Sequence, residues 1–402
     1  MDQKFTFFPF FIFTCLSLQH ARAQDKQNSI EFSPVYGLQM FSGEGNTLKG
    51  QFYGVEATYH LNMANNEAPW VRMFRVKRIS FAASYRQLDG AYLVKQPGST
   101  GILGNVFGLT SRLDISLFNI GATDVRVTPG FGFAYATQDY YTDNNPLIGS
   151  HINFTAQAGL KVVTPVSKTT RLLAGIDIYH YSNAAVKLPN DGVNVLNASI
   201  GIDHDIDKAG PGTSQTNEKY KTFAKHSFEF GANIGRRGLF QTNQGISPAE
   251  SQYQRTATSH LYKSGFYAGY TYRFNSLFGF KLGADAIYYY TTLDTIQTIN
   301  HFYATFQELA SSYDRWTVGI SAGPDIYLGR VVFDINYGQY LHFNAYQGLK
   351  GFHPDPPNWY WDFGGKYFIT PSFALEAKQY LHRTEADYVG IGILYRVKLS
   401  RD

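Results

Sequence analysis

Apolar and polar residues alternate along most of the chain, and this period of two predicts β-strands rather than helices. The alternating segments are separated by stretches rich in Gly, Asn, Asp and Pro, which are typical of turns. We predict eight strands in the first half of the chain, at residues 29–39, 50–62, 78–88, 104–117, 126–138, 151–163, 170–182 and 195–205. Eight more are predicted in the second half, at residues 226–236, 259–274, 277–291, 314–328, 330–343, 358–369, 372–382 and 387–398.

The first residues have the features of an export signal. Lys4 gives a positive start, residues 5–18 are mostly apolar, and residues 21–23 (ARA) form a small-x-small cleavage pattern. We therefore expect residues 1–23 to be removed and the mature chain to begin at Gln24. The single cysteine, Cys15, lies in this segment, so the mature chain has no thiol for disulfides, thiolate metal sites or cysteine catalysis. We expect no metal and no other cofactor.

Composition and export together predict a protein of the bacterial outer membrane. The chain is 44% hydrophobic and 16% aromatic but only 16% charged, and it has 38 glycines. After the export signal no apolar stretch is long enough for a membrane-spanning helix, which leaves alternating strands to cross the bilayer. The alternative is a secreted soluble β-protein, because aromatic-rich alternating strands also build sandwiches.

A polar stretch without periodicity separates the two halves. It covers residues 208–225, which we interpret as a linker between residues 24–207 and residues 226–402. The predicted fold class is all-β, an antiparallel transmembrane β-barrel of about 16 strands in two 8-stranded halves. Two tandem 8-stranded barrels are the alternative, and we favour a single continuous barrel.

Two residues with the chemistry of a hydrolase site, His180 and Ser182, end the strand predicted at residues 170–182. Residues two apart on a strand share a face, so the imidazole and the hydroxyl can form a hydrogen bond without help from distant loops. The apolar series that leads to them by steps of two is Leu172, Ala174, Ile176 and Ile178. This face is expected to contact lipid, because the alternate positions include Arg171 and Asp177.

Asn194 is the third candidate. It stands two residues before the apolar series of the next predicted strand, which begins at Leu196. His180, Ser182 and Asn194 thus fall on one outward face of two adjacent strands, where a three-membered acyl-transfer site would converge. With a periplasmic N-terminus, the seventh strand ends at the cell surface, so we place these residues at the outer rim of the barrel.

The motif resembles that of a known family. Residues 180–184 (HYSNA), followed by residues 189–192 (PNDG), are similar to the signature of PagL-type lipid A 3-O-deacylases, which are outer-membrane barrels. The similarity covers residues 25–206, and the whole chain resembles longer proteins called acyloxyacyl hydrolases. The resemblance implies hydrolysis of an acyl ester of lipid A. Ser182 would be the nucleophile, His180 the general base, and Asn183 with the backbone N–H of Ala185 the oxyanion hole.

Two positions depart from the family pattern. Asn194 stands where the family has a Glu, fourteen residues after the His. An Asn can orient the imidazole through a hydrogen bond, but it cannot stabilise the imidazolium by charge. Ala185 stands where the family has a Gly, which is a mild change if the φ angle there is negative.

A short internal similarity suggests a duplication. Residues 159–165 (GLKVVTP) resemble residues 365–371 (GKYFITP), and a strand ending in a His-x-Ser or His-x-Thr sequence follows each. The second of these sequences is His382-Arg383-Thr384. It lacks the Asn that follows Ser182, and we interpret it as a degenerate copy.

Two functional hypotheses follow from these observations. In the first, the chain is an outer-membrane esterase that removes an acyl chain from lipid A by a Ser–His mechanism at the lipid-facing outer rim. In the alternative, it is a catalytically inactive porin or structural barrel. The expected partners are lipid A or lipopolysaccharide of the outer leaflet and membrane lipid, with a homodimer left open. Nucleic acid is not expected, because the formal net charge is only +4.

Overall fold

The computed structural model of the protein describes residues 27–42, 47–63, 66–94, 98, 100–187, 189–206, 223–240, 257–290, 296–299, 303–306, 312–313, 315–343, 357–383 and 385–399. The expected signal at residues 1–23 and residues 208–222 of the expected linker lie outside these ranges. The described strands fall into two units, one in each half of the chain.

Eleven strands form the sheet of the first unit. They are β1 (Ser29–Ser42), β2 (Thr47–Lys49), β3 (Tyr53–Asn62), β4 (Val76–Gln87), β5 (Tyr92–Leu93), β6 (Asn105–Ile120), β7 (Thr123–Val127), β8 (Gly130–Ala136), β9 (Ile152–Pro165), β10 (Thr170–Ser182) and β11 (Val193–Asp205). Two short helices lie in the connecting segments, α1 (Pro69–Met73) and α2 (Tyr140–Asp143). No helix within the described ranges is long and apolar enough to span a membrane.

The first unit closes into a barrel because its first and last strands pair. β11 is antiparallel to β10 on one side and to β1 on the other. β7 and β8 share one position in the ring, since both pair with β6 and with β9. The sequence predicts them as a single strand at residues 126–138, but Pro129 has no N–H for a ladder and separates them. With β7 and β8 counted as one strand, the first barrel has eight strands around its circumference.

The second unit is also a closed antiparallel barrel, in the order β12, β13, β14, β17, β18, β19, β20, β21. Its strands are β12 (His226–Phe240), β13 (Ala257–Arg273), β14 (Phe278–Tyr289), β17 (Trp316–Leu328), β18 (Val331–Phe343), β19 (Trp359–Phe368), β20 (Phe373–His382) and β21 (Glu385–Lys398). A separate two-stranded sheet contains β15 (Ile296–Ile299) and β16 (Tyr303–Phe306).

The expectation of one continuous sixteen-stranded barrel is therefore wrong. Each unit closes on itself, through β1 with β11 in the first and through β12 with β21 in the second. These pairings correspond to the alternative of two barrels of eight. The physical reason is that closure depends on which distant strands meet, and the alternation within a strand carries no information about its partners.

Both barrels present apolar side chains outward and polar side chains inward. On β10, Leu172 and Ile176 are about half exposed, at 48% and 52%. On β14, Phe280 and Leu282 are exposed while Lys281 between them is buried. An apolar exterior around a polar interior is the arrangement of a barrel that spans a membrane.

Charged side chains cross-link the interior of each barrel. In the first, Lys161 Nζ lies 2.9 Å from both oxygens of the Glu31 carboxylate. In the second, Lys366 Nζ lies 2.9 Å from Glu229 Oε2. Buried charges persist in a protein interior only when they are paired in this way. Paired side chains therefore occupy the described interior of both barrels.

An apolar cluster fills the first barrel at the end where β10 stops and β11 starts. Tyr179 and Tyr181 of β10 point into it and are fully buried. Side chains from the connecting loops complete it, among them Leu88, Leu103, Leu147 and Ile148. The inward face of β10 is thus fixed by packing at the end of the strand that carries the candidate residues.

Candidate active site

His180 and Ser182 lie at the end of β10, on the outward-facing series of the strand. Tyr179 and Tyr181 are fully buried in the lumen, whereas His180 and Ser182 are half-buried. Consecutive strand residues point to opposite faces, so the packing of the two tyrosines inward orients the histidine and the serine outward. The pair continues the face that carries the exposed Ile178.

The pairing of β10 with β11 places Asn194 directly opposite His180. His180 Nδ1 lies 2.9 Å from Asn194 Oδ1, and His180 Nε2 lies 3.0 Å from Ser182 Oγ. Both are hydrogen-bond distances. The structure thus places within hydrogen-bonding distance the three residues for which the sequence analysis predicts these roles: Ser182 as nucleophile, His180 as base and Asn194 as orienting group.

A backbone carbonyl that sequence reasoning missed fixes the orientation of the Asn194 amide. Phe41 of β1 is opposite Asn194, and Asn194 Nδ2 donates to Phe41 O at 3.3 Å. Because only the amide nitrogen can donate to a carbonyl, the amide oxygen faces His180 Nδ1, which in neutral imidazole must then carry the ring proton. Nε2 is left to accept a hydrogen bond from the Ser182 hydroxyl, as a general base must.

Gly192 packs against the His180 ring at a point where no side chain fits. Its φ angle is +66°, in the left-handed region that favours glycine. A Cβ atom at this position would lie 2.8 Å from His180 Cε1 and 3.3 Å from Ser182 Cβ. The turn signal at residues 189–192 could predict this glycine, but not its contact with the imidazole.

Asn183 is buried directly after Ser182 and ties the start of the β10–β11 loop to its later part. Its backbone N–H donates to Asn190 Oδ1 at 2.8 Å, and its Nδ2 donates to Pro189 O at 3.5 Å. The backbone N–H of Asn183 is therefore engaged within the loop. The oxyanion role that the family resemblance implies for Asn183 stays a prediction.

The sequence analysis expects alanine to replace glycine easily at position 185 only if the φ angle is negative, and the φ angle is positive. Ala184 and Ala185 have φ angles of +53° and +64°, both in the left-handed region. A residue with a Cβ atom loses roughly 1–2 kcal/mol in this conformation. The loop therefore keeps a conformation that glycine prefers, although alanine occupies the position.

A second serine–histidine arrangement lies inside the first barrel. His60 Nδ1 lies 2.7 Å from Ser80 Oγ, and His60 Nε2 lies 3.0 Å from Glu31 Oε2. Each of the three residues is at most 1% exposed. The Ser80 hydroxyl donates to Asp114 Oδ1 at 3.1 Å. Sequence reasoning missed this arrangement because β1, β3 and β4 contribute one residue each, and no local motif joins them. An ester would have to enter the packed lumen to reach Ser80, so we interpret the arrangement as structural.

His382, which the sequence analysis interprets as part of a degenerate copy of the site, points into the lumen of the second barrel. It is buried, and its Nε2 atom lies 3.1 Å from both Tyr289 OH and Asp387 Oδ2. His180 belongs to an outward series, so the two histidines occupy opposite faces of their strands. The interpretation as a copy is therefore wrong in its facing, and Thr384 lies outside the described residues.

Within the described ranges, three side chains of metal-ligand type come together at α2. They are Asp139, Asp143 and His151, and one ligand atom from each lies within 4.8 Å of the others. Asp139 caps the helix, since its Oδ1 atom accepts from the N–H groups of Tyr141 and Thr142 at 2.8 Å. These contacts account for the cluster as a loop cap.

Two protein-family models match the chain, one in each barrel. Residues 51–203 match the model described as lipid A 3-O-deacylase (PagL). Residues 226–399 match the model described as acyloxyacyl hydrolase, C-terminal domain. The first match contains the hydrogen-bonded residues of β10 and β11.

Solved structures of outer-membrane proteins are similar to parts of the chain. The outer membrane enzyme PagL is 17% identical, over 44% of this chain and 99% of its own, with a TM-score of 0.31. Neisserial surface protein A (NspA) is 11% identical, over 45% of this chain and 98% of its own, with a TM-score of 0.31. No curated protein sequence matches the chain.

Proposed function

Because the chain belongs to the family of PagL-type lipid A 3-O-deacylases and acyloxyacyl hydrolases, we propose that it removes an ester-linked acyl chain from lipid A. It is a β-barrel protein of the outer membrane, the membrane whose outer leaflet holds this substrate. One observation carries the proposal. It is the hydrogen-bonded series Ser182–His180–Asn194 on the outward face of β10 and β11.

In the proposed first step, Ser182 Oγ attacks the ester carbonyl carbon while His180 Nε2 takes the hydroxyl proton. The negative charge that forms on the carbonyl oxygen is stabilised by donors near Ser182, for which Asn183 and the N–H of Ala185 are the candidates. The intermediate then expels the sugar oxygen, which receives the proton from His180. The acyl chain is left on Ser182.

In the proposed second step, water attacks the acyl-serine, and His180 Nε2 takes a proton from the water. Collapse of this intermediate breaks the bond to Ser182 Oγ, which recovers the proton from His180. The products are a fatty acid and lipid A with one acyl chain fewer.

Asn194 supports this cycle through the histidine tautomer. An acid-to-amide change in a serine triad lowers kcat by about 10⁴, because the amide selects the wrong tautomer. In this chain, Phe41 O turns the amide oxygen toward His180 Nδ1, so that the tautomer is the required one. Asn194 lacks only the negative charge of a carboxylate. A hydrogen bond to a charged group is stronger than a neutral one by about 1 kcal/mol. The expected deficit relative to a carboxylate is therefore about fivefold rather than 10⁴.

The facing of the pair supports a substrate that resides in the membrane. A lipid ester can approach His180 and Ser182 sideways from the leaflet, without passing through the packed lumen. With the N-terminus in the periplasm, the Ser182 end of β10 would lie at the cell surface. We therefore propose a site at the outer rim, level with the lipid A headgroups.

Acyl-chain loss from lipid A tests the proposal directly. Outer membranes that contain the wild-type chain should yield lipid A with one acyl chain fewer by mass spectrometry, and Ser182→Ala should abolish this change. Ser80→Ala is the matched control, because it removes the serine of the lumen arrangement and should leave deacylation unchanged. Both variants must run as folded, heat-modifiable barrels on gels. Equal deacylation by wild type and Ser182→Ala would contradict the proposal.

The alternative of a non-catalytic porin predicts ion conductance that Ser182→Ala does not affect. The ion pairs across the lumens, such as Lys161 with Glu31, oppose an open path. We expect no steady conductance from the wild-type protein in planar bilayers.

A further inference from the structure

The loop between β8 and β9 is hydrogen-bonded to the loop between β10 and β11, which contains Gly192. Residues 147–149 and residues 189–191 meet as a short antiparallel bridge. Its two backbone hydrogen bonds run from Gly149 N to Pro189 O at 2.7 Å and from Asp191 N to Leu147 O at 3.0 Å. The residues immediately before Gly192 are thus fixed from outside their own loop.

Asn145 determines the course of residues 147–149. Its side chain is fully buried, and its Oδ1 atom accepts from Leu147 N at 3.0 Å. Its Nδ2 atom donates to Gln138 O at 3.2 Å, just beyond the end of β8. One amide therefore ties the start of the loop to the segment that pairs with residues 189–191.

The path from Asn145 to the candidate site is short. The bridge fixes residues 189–191, and the next residue, Gly192, packs against the His180 ring and Ser182 Cβ. On the inward side, Leu147 and Ile148 belong to the apolar cluster that contains Tyr179 and Tyr181. The same loop segment therefore belongs to the apolar cluster on the inward side of β10 and also pairs with the residues that lead to Gly192.

We propose that Asn145 is a positioning residue for the reaction at Ser182. It holds Gly192 against His180 through residues 147–149 and 189–191, and so keeps His180 Nε2 directed at the serine hydroxyl. The inference rests on the proposed function for its catalytic consequence, but the restraint on His180 can be measured separately.

Kinetics of lipid A deacylation in detergent micelles give the first test. Asn145→Ala should lower kcat by up to about 10²-fold with KM unchanged, because a misplaced catalytic group slows the reaction without weakening substrate contacts. Asn145→Asp keeps an acceptor for Leu147 N–H but loses the donor to Gln138 O, so its kcat should lie between those of wild type and Asn145→Ala. Asn153→Ala is the matched control. That asparagine is similarly buried at the start of β9, but it donates to Ser150 O and His151 O instead.

The ¹⁵N shifts of His180, assigned with a His180→Gln variant, give a second test that does not need activity. Wild type and Asn153→Ala should show the single Nδ1–H tautomer, and Asn145→Ala should show averaged shifts. Unchanged His180 shifts in folded Asn145→Ala would overturn the proposal. If wild type shows no deacylation while Asn145→Ala still releases the ring, the positioning role stands and the proposed function fails.

Discussion

The two serine–histidine arrangements of the first barrel share a short serine–imidazole distance but differ in access and in their other hydrogen-bond partners. Ser80, His60 and Glu31 form the set that looks more complete, since its third member is a carboxylate. Ser182 and His180 have only an amide as third member. Yet the first set is sealed in the lumen, and the second faces outward. The Ser80 hydroxyl also donates to Asp114 Oδ1 at 3.1 Å, whereas the Ser182 hydroxyl has His180 Nε2 as its partner. A short serine–histidine distance alone therefore does not identify a hydrolase site in a barrel; the face of the strand and the direction of the serine proton must be considered as well.

The two sets also use their third member differently. Glu31 accepts from His60, but both of its oxygens also lie 2.9 Å from Lys161 Nζ. The carboxylate thus belongs to a network that neutralises buried charge. Asn194 carries no charge, and its two hydrogen bonds serve only to orient the imidazole. We expect the lumen set to contribute to stability, whereas the outward set is the one proposed to carry out the chemistry.

The largest effect should separate the two histidines. His180→Gln should lower kcat by about 10⁶, as loss of the base does in serine hydrolases. His60→Gln should leave kcat per folded barrel unchanged, since its imidazole contacts only lumen groups. Fatty acid release from lipid A in micelles measures both variants. An equal loss in the two would place the chemistry in the lumen and break the comparison.

The next effect is on the free energy of unfolding, and here the lumen set should show the larger loss. Glu31→Gln removes the partner of the buried Lys161 and should lower the free energy of unfolding by about 3–5 kcal/mol. Asn194→Ala should lower it by only about 1 kcal/mol, the usual value of a neutral hydrogen bond. Urea unfolding in micelles gives both numbers. A larger loss for Asn194→Ala would assign the outward set a mainly structural role.

A smaller gain is expected when the outward set receives the carboxylate it lacks. Asn194→Glu should raise kcat about fivefold, because a charged hydrogen bond to His180 stabilises the imidazolium by about 1 kcal/mol more than a neutral one. Deacylation kinetics at constant pH measure the gain. A fall in kcat would mean that the lost donation to Phe41 O outweighs the added charge.

The smallest effect concerns the strained loop of the outward set. Ala185→Gly should raise the free energy of unfolding by about 0.5–1 kcal/mol, since relief of left-handed strain exceeds the added entropy of the unfolded chain. Ala198→Gly, in the extended β11, should lower it by a similar amount. Thermal or urea unfolding compares the two. If both variants are destabilised alike, the strain at Ala185 is not significant.

Much of the fold was predictable because a period of two encodes both a strand and its faces. β10 is predicted at residues 170–182 and observed at Thr170–Ser182. The same period brings His180, Ser182 and Asn194 to one face, although β11 starts at Val193, slightly before its prediction. A local pattern sufficed here because the three residues lie on neighbouring strands.

The rest depends on contacts between distant strands or on loop backbone, which no local pattern encodes. The carbonyl of Phe41 meets Asn194 only through the pairing of β1 with β11. The lumen set draws on β1, β3 and β4, and the positive φ of Ala185 contradicts what its residue type predicts. Single-barrel closure was mispredicted for the same reason, because it is decided by distant pairing.

The pairing of β1 with β11, which we call the seam of the first barrel, implies an order in which the candidate site assembles. It joins the strands of the first barrel that are farthest apart in sequence, so its closure carries a large loss of chain entropy, and we expect it to come late in folding. A chain with an open seam already has His180 and Ser182 on one strand, but no carbonyl of Phe41 to turn the Asn194 amide. If the proposed function holds, esterase activity would arise only with the finished barrel, and an unfolded chain in transit through the periplasm would pass lipids without cleaving them.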